Sequence, residues 1–266
     1  MAKNIGIIKF TGKLGGLSGR DTAFGNVIQT PGGFKSDRVK NDPIYEQTRQ
    51  LYTEFGRCAK IASLFRQQLL PYLKLMPDPY VYNHIQKRMA AIKDCDADSP
   101  KGQRTVGNGL LTDAGAALFR NFSLNRDRQF YFTGMQQHLF DPEQGTLALE
   151  NVDPAQFVFP DGANALGFQL VLLRMDLEQP SATMECSEFS FIRKGGETTS
   201  LLLKAPIPTG EGLLAEILFA GYCTIERDIL WKRNVANVLQ VISFDLPETE
   251  SDSSGGGSMP PAISVE

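Results

Sequence analysis

Only one stretch of the chain has the residue types and spacing to invite chemistry on sight. Residues 9–26 read KFTGKLGGLSGRDTAFGN, with five glycines and three basic residues. A phosphate-binding loop needs GxxxxGK followed by Ser or Thr, because backbone N–H groups and the lysine must converge on the phosphates. Gly6 and Gly12 stand one residue too far apart for it, and Leu14 follows Lys13. A nucleophile elbow needs GxSxG; Gly16 and Ser18 fit, but Arg20 takes the place of the closing glycine. A dinucleotide fingerprint must open a helix after a strand, and no helical pattern follows these glycines directly. The other candidates are as sparse. Cys58, Cys95, Cys186 and Cys223 form no CxxC pair, and His84 and His138 are the only histidines, too few clustered ligands for a zinc site. Glu185 and Glu188 point to opposite faces of the strand expected to carry them, so they make no acid–base pair. The expectation is a protein that is not an enzyme and holds no metal or cofactor.

The glycine stretch therefore has to be understood through the elements around it. At 266 residues the chain is long enough to bury a sizeable core, and 42% hydrophobic with 21% charged residues is ordinary for a soluble protein. The front of the chain lacks the regions of a secretory signal, and no run nears the roughly 18 apolar residues of a membrane-spanning helix. A cytoplasmic chain without a membrane span is expected, or one released as part of an assembly. The net charge of −3 conceals an asymmetry: residues 1–105 hold 17 Lys and Arg against 9 Asp and Glu, and residues 106–266 hold 10 against 21. A basic front and an acidic back suit polyanion binding by the front, or head-to-tail binding of a second copy.

Asn4–Thr11 and Ala23–Thr30 have strand character and predict a loose hairpin ending at Pro31-Gly32-Gly33. A lone hairpin is marginal in water, so this arm needs something to lie on. Asn41 or Asp42 can cap a long helix with Pro43 in its first turn. Ile44, Leu51, Phe55, Cys58, Ala62, Phe65, Leu69 and Tyr72 then form one apolar stripe, with Arg49, Arg57, Lys60 and Arg66 off it. A second helix is predicted from Pro79 to Lys93, with Val81, Ile85, Met89 and Ile92 on one side, making an antiparallel pair. After a glycine-bearing linker at 99–109, strands are predicted at 168–177, 184–193, 198–204, 213–226 and 235–244, with shorter ones at 128–133, 145–151 and 156–159. The fold class is α+β: a basic arm (1–40), a helical pair (41–105), an antiparallel β-sandwich of jelly-roll or immunoglobulin-like kind (106–246) and a disordered tail (247–266).

Two classes of function fit this organisation. In the first, the chain is a structural subunit of a tube, filament or shell. Its arm, through Ile5, Ile7, Ile8, Phe10, Gly12, Gly15, Gly16 and Gly19, adds to a neighbouring copy in a heterologous contact. In the second, nucleic acid is bound through Lys9, Lys13, Arg20, Lys35, Arg38, Lys40, Arg49, Arg57 and Lys60, in a manner that weakens with salt. The pI of about 5.6 argues against a dedicated nucleic-acid binder. A carbohydrate-binding sandwich is a further alternative, with Trp231 as its one tryptophan.

The front of the chain also resembles a set of uncharacterised proteins from Bacteroidota genomes. The likeness lies in a GxxGGLS arm (Gly12–Ser18), a Gly32-Gly33 turn, an R-x-K-x-D-P lead-in to a helix (Arg38–Pro43), and Arg49, Glu54–Arg57 and Lys60 in that helix. It covers about residues 5–105. The resemblance implies a bacterial or phage-like origin and assigns no catalytic residue.

Overall fold

The structure, a computed structural model, describes residues 2–6, 9–30, 36–76, 78, 80–120, 122–125, 139–233, 235 and 237–246. Ile7, Ile8, the Gly32-Gly33 turn, Lys35, the strand expected at 128–133, His138 and the tail 247–266 lie outside the described residues. The chain divides into two compact units, residues 1–51 and 52–266.

The first unit opens with a four-stranded antiparallel sheet. It is built from β1 (Ala2–Lys3), β2 (Gly12–Leu14), β3 (Leu17–Thr22) and β4 (Gly25–Gln29), in the order β1-β4-β3-β2. The sequence predicts strands at Asn4–Thr11 and Ala23–Thr30, and the first needs correction. Residues 4–6 and 9–11 are not strand, Asn4 Oδ1 accepting from Gly6 N (3.0 Å) in a local turn, and the four strands lie on either side, at 2–3 and within 12–29. Gly15, at φ 56°, begins the two-residue link that pairs Leu14 with Leu17, a backbone geometry glycine adopts without steric cost. Ala23-Phe24 links β3 to β4, secured by the Thr22 hydroxyl, which donates to Gly25 O (2.8 Å) and accepts from Phe24 N (3.2 Å). The helix α1 (Ser36–Asn41) and a 3₁₀ turn (Pro43–Tyr45) follow, and the Asp42 carboxylate accepts from Ile44 N to cap that turn. The long helix α2 (Glu46–Gln68) starts in this unit and continues into the second.

The second unit has three layers. Its centre is an antiparallel sheet of β7 (Ala165–Asp176), β8 (Ser181–Cys186), β9 (Ser190–Arg193), β11 (Leu213–Ile225), β12 (Ile229–Trp231) and β13 (Val238–Asp245). The long β7 and β11 pair down the middle; β8 and β9 share the far side of β7, and β12 and β13 share the far side of β11. Alternate residues of the central strands feed two cores. Val171, Leu173, Met175, Ile217 and Phe219 face helices α2, α3 (Leu70–Leu73), α4 (Val81–Asp94), α5 (Val106–Leu111) and α6 (Asp113–Phe119). Leu166, Phe168, Leu170, Leu172 and Leu218 face the opposite way, onto a small sheet of β5 (Leu139–Asp141), β6 (Thr146–Val152) and β10 (Thr199–Lys204) in the order β10-β6-β5. The two sheets are the antiparallel sandwich expected from the sequence, curled into a half-barrel. Both faces of the central strands are covered, which explains their near-continuous apolar sequence.

The helices α2 and α4 pack antiparallel: Glu54 meets Lys93, Cys58 meets the Met89 carbonyl, and Arg66 lies over the Tyr82 ring at 4.7 Å. Four more local readings need correction. The stretch 184–193 is two strands, split where the buried Ser187 turns inward to bond Leu170 N and Leu170 O. Residues 154–156 form a 3₁₀ turn where a strand was expected from 156. Helices α5 and α6 occupy the start of the stretch assigned to the sandwich; Thr105 and Thr112 cap them through their side chains, a signal masked by the neighbouring glycines. The short β5 and β12 are additional strands, too brief to leave a pattern.

Candidate assembly surfaces

The arm forms its sheet almost without a core. Among residues 4–6, 9–30 and 37–51, only Gly19 and Asn26 are buried. Asn26 is the hub: its Nδ2 donates to Phe10 O (2.9 Å) and Asp21 Oδ1 (2.7 Å), its Oδ1 accepts from Asn4 Nδ2 (3.1 Å), and its carbonyl accepts from Asn4 N (2.8 Å). Phe10 lies across Gly19 so closely that a Cβ there would meet its carbonyl at 2.4 Å and its ring at 2.8 Å. Polar bonds thus shape this sheet, while Ile5 is 92%, Leu14 64% and Leu17 41% exposed. Of the residues expected to form an assembly arm, Gly15 and Gly16 make the β2–β3 tip and Gly12 starts β2 opposite Gly19, and all three have open space where a side chain would begin. The arm is not the lone hairpin expected: it forms a four-stranded sheet in which β1 pairs with β4 of the same unit.

The apolar stripe of α2 splits part-way along. Cys58, Ala62, Phe65, Leu69 and Tyr72 are buried as the spacing predicts, whereas Ile44, Leu51 and Phe55 are exposed, with Tyr52 beside them. Glu54 and Arg57, from the motif quoted above, have a structural task. Glu54 Oε1 accepts from Gly102 N (2.6 Å), Oε2 accepts from Lys93 Nζ (3.0 Å), and Arg57 donates to Gly102 O. Together they clamp the loop after α4 onto α2. Burial alone would raise the Glu54 carboxyl, but the Lys93 ammonium and the Gly102 N–H hold it below its ordinary value. Burial opposes the charge on Lys93, and Asp94 and Glu54 more than offset it, raising the ammonium.

Three of the residues expected to form a basic patch have partners of their own. Arg38 pairs with Asp42 at 3.4 Å, Arg49 donates to Val39 O and Asp42 O, and Arg57 is engaged at Gly102. Lys9, Lys13, Arg20, Lys40 and Lys60 are exposed. Trp231 is half-buried against Phe189, Phe191 and Phe219, with ring centroids 4.8–6.2 Å apart, so it is a packing residue of the sheet.

Neither a protein family, nor a curated protein, nor a solved structure matches the chain. What the molecule can do rests on its own surfaces and groups. Among the described residues no three His, Cys, Asp or Glu are placed to hold a metal ion, and no helix is long and apolar enough to cross a membrane. The cysteines are free thiols. Burial pushes Cys58 and Cys223 up to about 11, which leaves them protonated and weakly nucleophilic at neutral pH. His84 stands half-buried on α4 in a shallow cleft beside Tyr80 and Lys87.

Sequence reasoning missed a groove of about 570 Å³ in the second unit. Leu111 closes α5 and is 59% exposed; Leu177, Leu213 and Leu246 complete its apolar lining. Arg174 stands in it but is committed, its Nε to Pro208 O (3.2 Å) and its Nη1 to Gly212 O (3.3 Å), which pins the loop before β11 as a wall. Asp176, Glu178 and Glu211 rim the opening. Four separate segments build it, so no local periodicity announces it.

Proposed function

We propose that the chain is a self-assembling structural subunit, whose first unit docks side chains onto the body of a neighbouring copy. The observation that carries this reading is the nearly coreless sheet: β2, β3 and β4 bury only Gly19 and Asn26, Leu14 and Leu17 on it are turned outward, and Ile5 beside it is exposed. A small sheet of this kind gains independent stability only when an apolar face is covered. Burying each of these side chains is worth about 1.5–3 kcal/mol. The exposed Leu51, Tyr52 and Phe55 on α2 extend the same apolar theme.

Charge favours a second copy as the partner. Residues 1–51 hold eight Lys and Arg against four Asp and Glu, a net of +4, and residues 52–266 hold nineteen against twenty-six, a net of −7. Opposite fields on two units of one chain attract copies head to tail. Donor and acceptor surfaces differ, so the contact is heterologous and propagates into a ring, tube or filament. Removing residues 1–33 tests the reading: negative-stain images of the intact chain should show regular particles, and the shortened chain should stay folded and dispersed. Particles formed equally by both would overturn it.

A further inference from the structure

We infer that the leucine-lined groove of the second unit is the acceptor, and that its occupant is the β2–β3 hairpin tip of another copy. This rests on the self-assembly reading and assigns its binding site. The tip presents Leu14 and Leu17 on either side of Gly15-Gly16, with Lys13 exposed next to Leu14 and Lys9 further back. The groove presents Leu111, Leu177 and Leu246 within a rim of Asp176, Glu178 and Glu211.

Size, polarity and charge agree. A volume of about 570 Å³ accepts a few side chains and excludes a whole domain, which fits a two-leucine tip narrowed by two glycines. Arg174 keeps its positive charge, with its Nε and Nη1 held by Pro208 O and Gly212 O, but Asp176, Glu178 and Glu211 outnumber it three to one. The rim therefore offers negative charge to an incoming lysine. The chain's own tail begins at residue 247, directly after Leu246, and is the nearest competing occupant. It carries Glu248, Glu250, Asp252 and Glu266 and no Lys or Arg, so the rim repels it. A contact with an apolar centre and a charged rim is the usual anatomy of a specific interface.

Complementation between variants tests the assignment by sedimentation. Leu14→Asp spoils the tip and keeps the groove; Leu111→Arg spoils the groove and keeps the tip. Both positions are exposed, and circular dichroism checks that each variant folds. Each alone should associate at least about tenfold more weakly than the intact chain, as expected for a central anchor. Mixed in equal amounts they should give a one-to-one dimer that grows no further. Glu178→Lys should weaken association, and pairing it with Lys13→Glu should restore it. An intact chain that never associates defeats the self-assembly reading itself. An intact chain that associates while Leu111→Arg and Glu178→Lys leave it unchanged overturns the groove alone. A Leu111→Arg effect that vanishes once residues 247–266 are removed also overturns it, and names the tail as the occupant.

Discussion

Replacing Glu216 with glutamine should abolish a specific loss of stability as pH rises from about 4.5 to about 7. Glu216 sits on the face of β11 that looks into the half-barrel, fully buried. It lies at a β-bulge, where Ile242 and Ser243 of β13 both oppose it. Its Oε2 accepts from Ser243 Oγ at 2.7 Å, and its Oε1 has no partner among the described residues. Burial raises the carboxyl from 4.5 to about 7, with the Ser243 hydroxyl pulling the other way. Between those two values the folded chain keeps a proton that the unfolded chain has released. Stability therefore declines as pH rises from about 4.5 and levels off above about 7, at a total cost of about 3 kcal/mol. Glutamine keeps an acceptor for Ser243 and does not ionise. Urea unfolding followed by Trp231 fluorescence, at about pH 5 and about pH 8, measures both chains. The wild type should lose about 2–3 kcal/mol relative to Glu216→Gln over that interval. Parallel pH profiles for the two chains would refute the reasoning.

Two further outcomes follow from buried polar groups. Lys93→Met strands the Glu54 carboxylate at the α2–α4 contact and should cost about 3–5 kcal/mol in urea unfolding, with part recovered in the Glu54→Gln/Lys93→Met pair. Asn26→Ala removes three side-chain hydrogen bonds from the first unit and should lower its local stability by about 1–3 kcal/mol. Hydrogen exchange should then quicken across residues 9–29 while the amides of β7 and β11 keep their protection.

Much of the body was legible because periodicity is a local signal. The buried half of α2, the face of α4 with Val81, Ile85, Met89 and Ile92, and the apolar runs of β7 and β11 all show it. Other features were hidden for physical reasons. Ile44, Leu51 and Phe55 continue the stripe of Cys58 and Phe65, and spacing cannot tell a covered apolar face from an uncovered one. Glycines read as flexibility at residues 12–19, yet they make the turns of a sheet whose hub, Asn26, is a polar residue with no distinguishing neighbours in sequence. The clamp on Gly102 by Glu54 and Arg57 joins residues more than forty positions apart. The groove at Leu111 and Leu177 exists only once α5, β7 and β11 meet.

Sedimentation velocity of the intact chain over a range of concentrations tests self-assembly most directly. The account predicts sedimentation that quickens with concentration and slows as salt is raised, since part of the attraction is between opposite charges. A single species of one chain's mass, unchanged across concentration and salt, contradicts it.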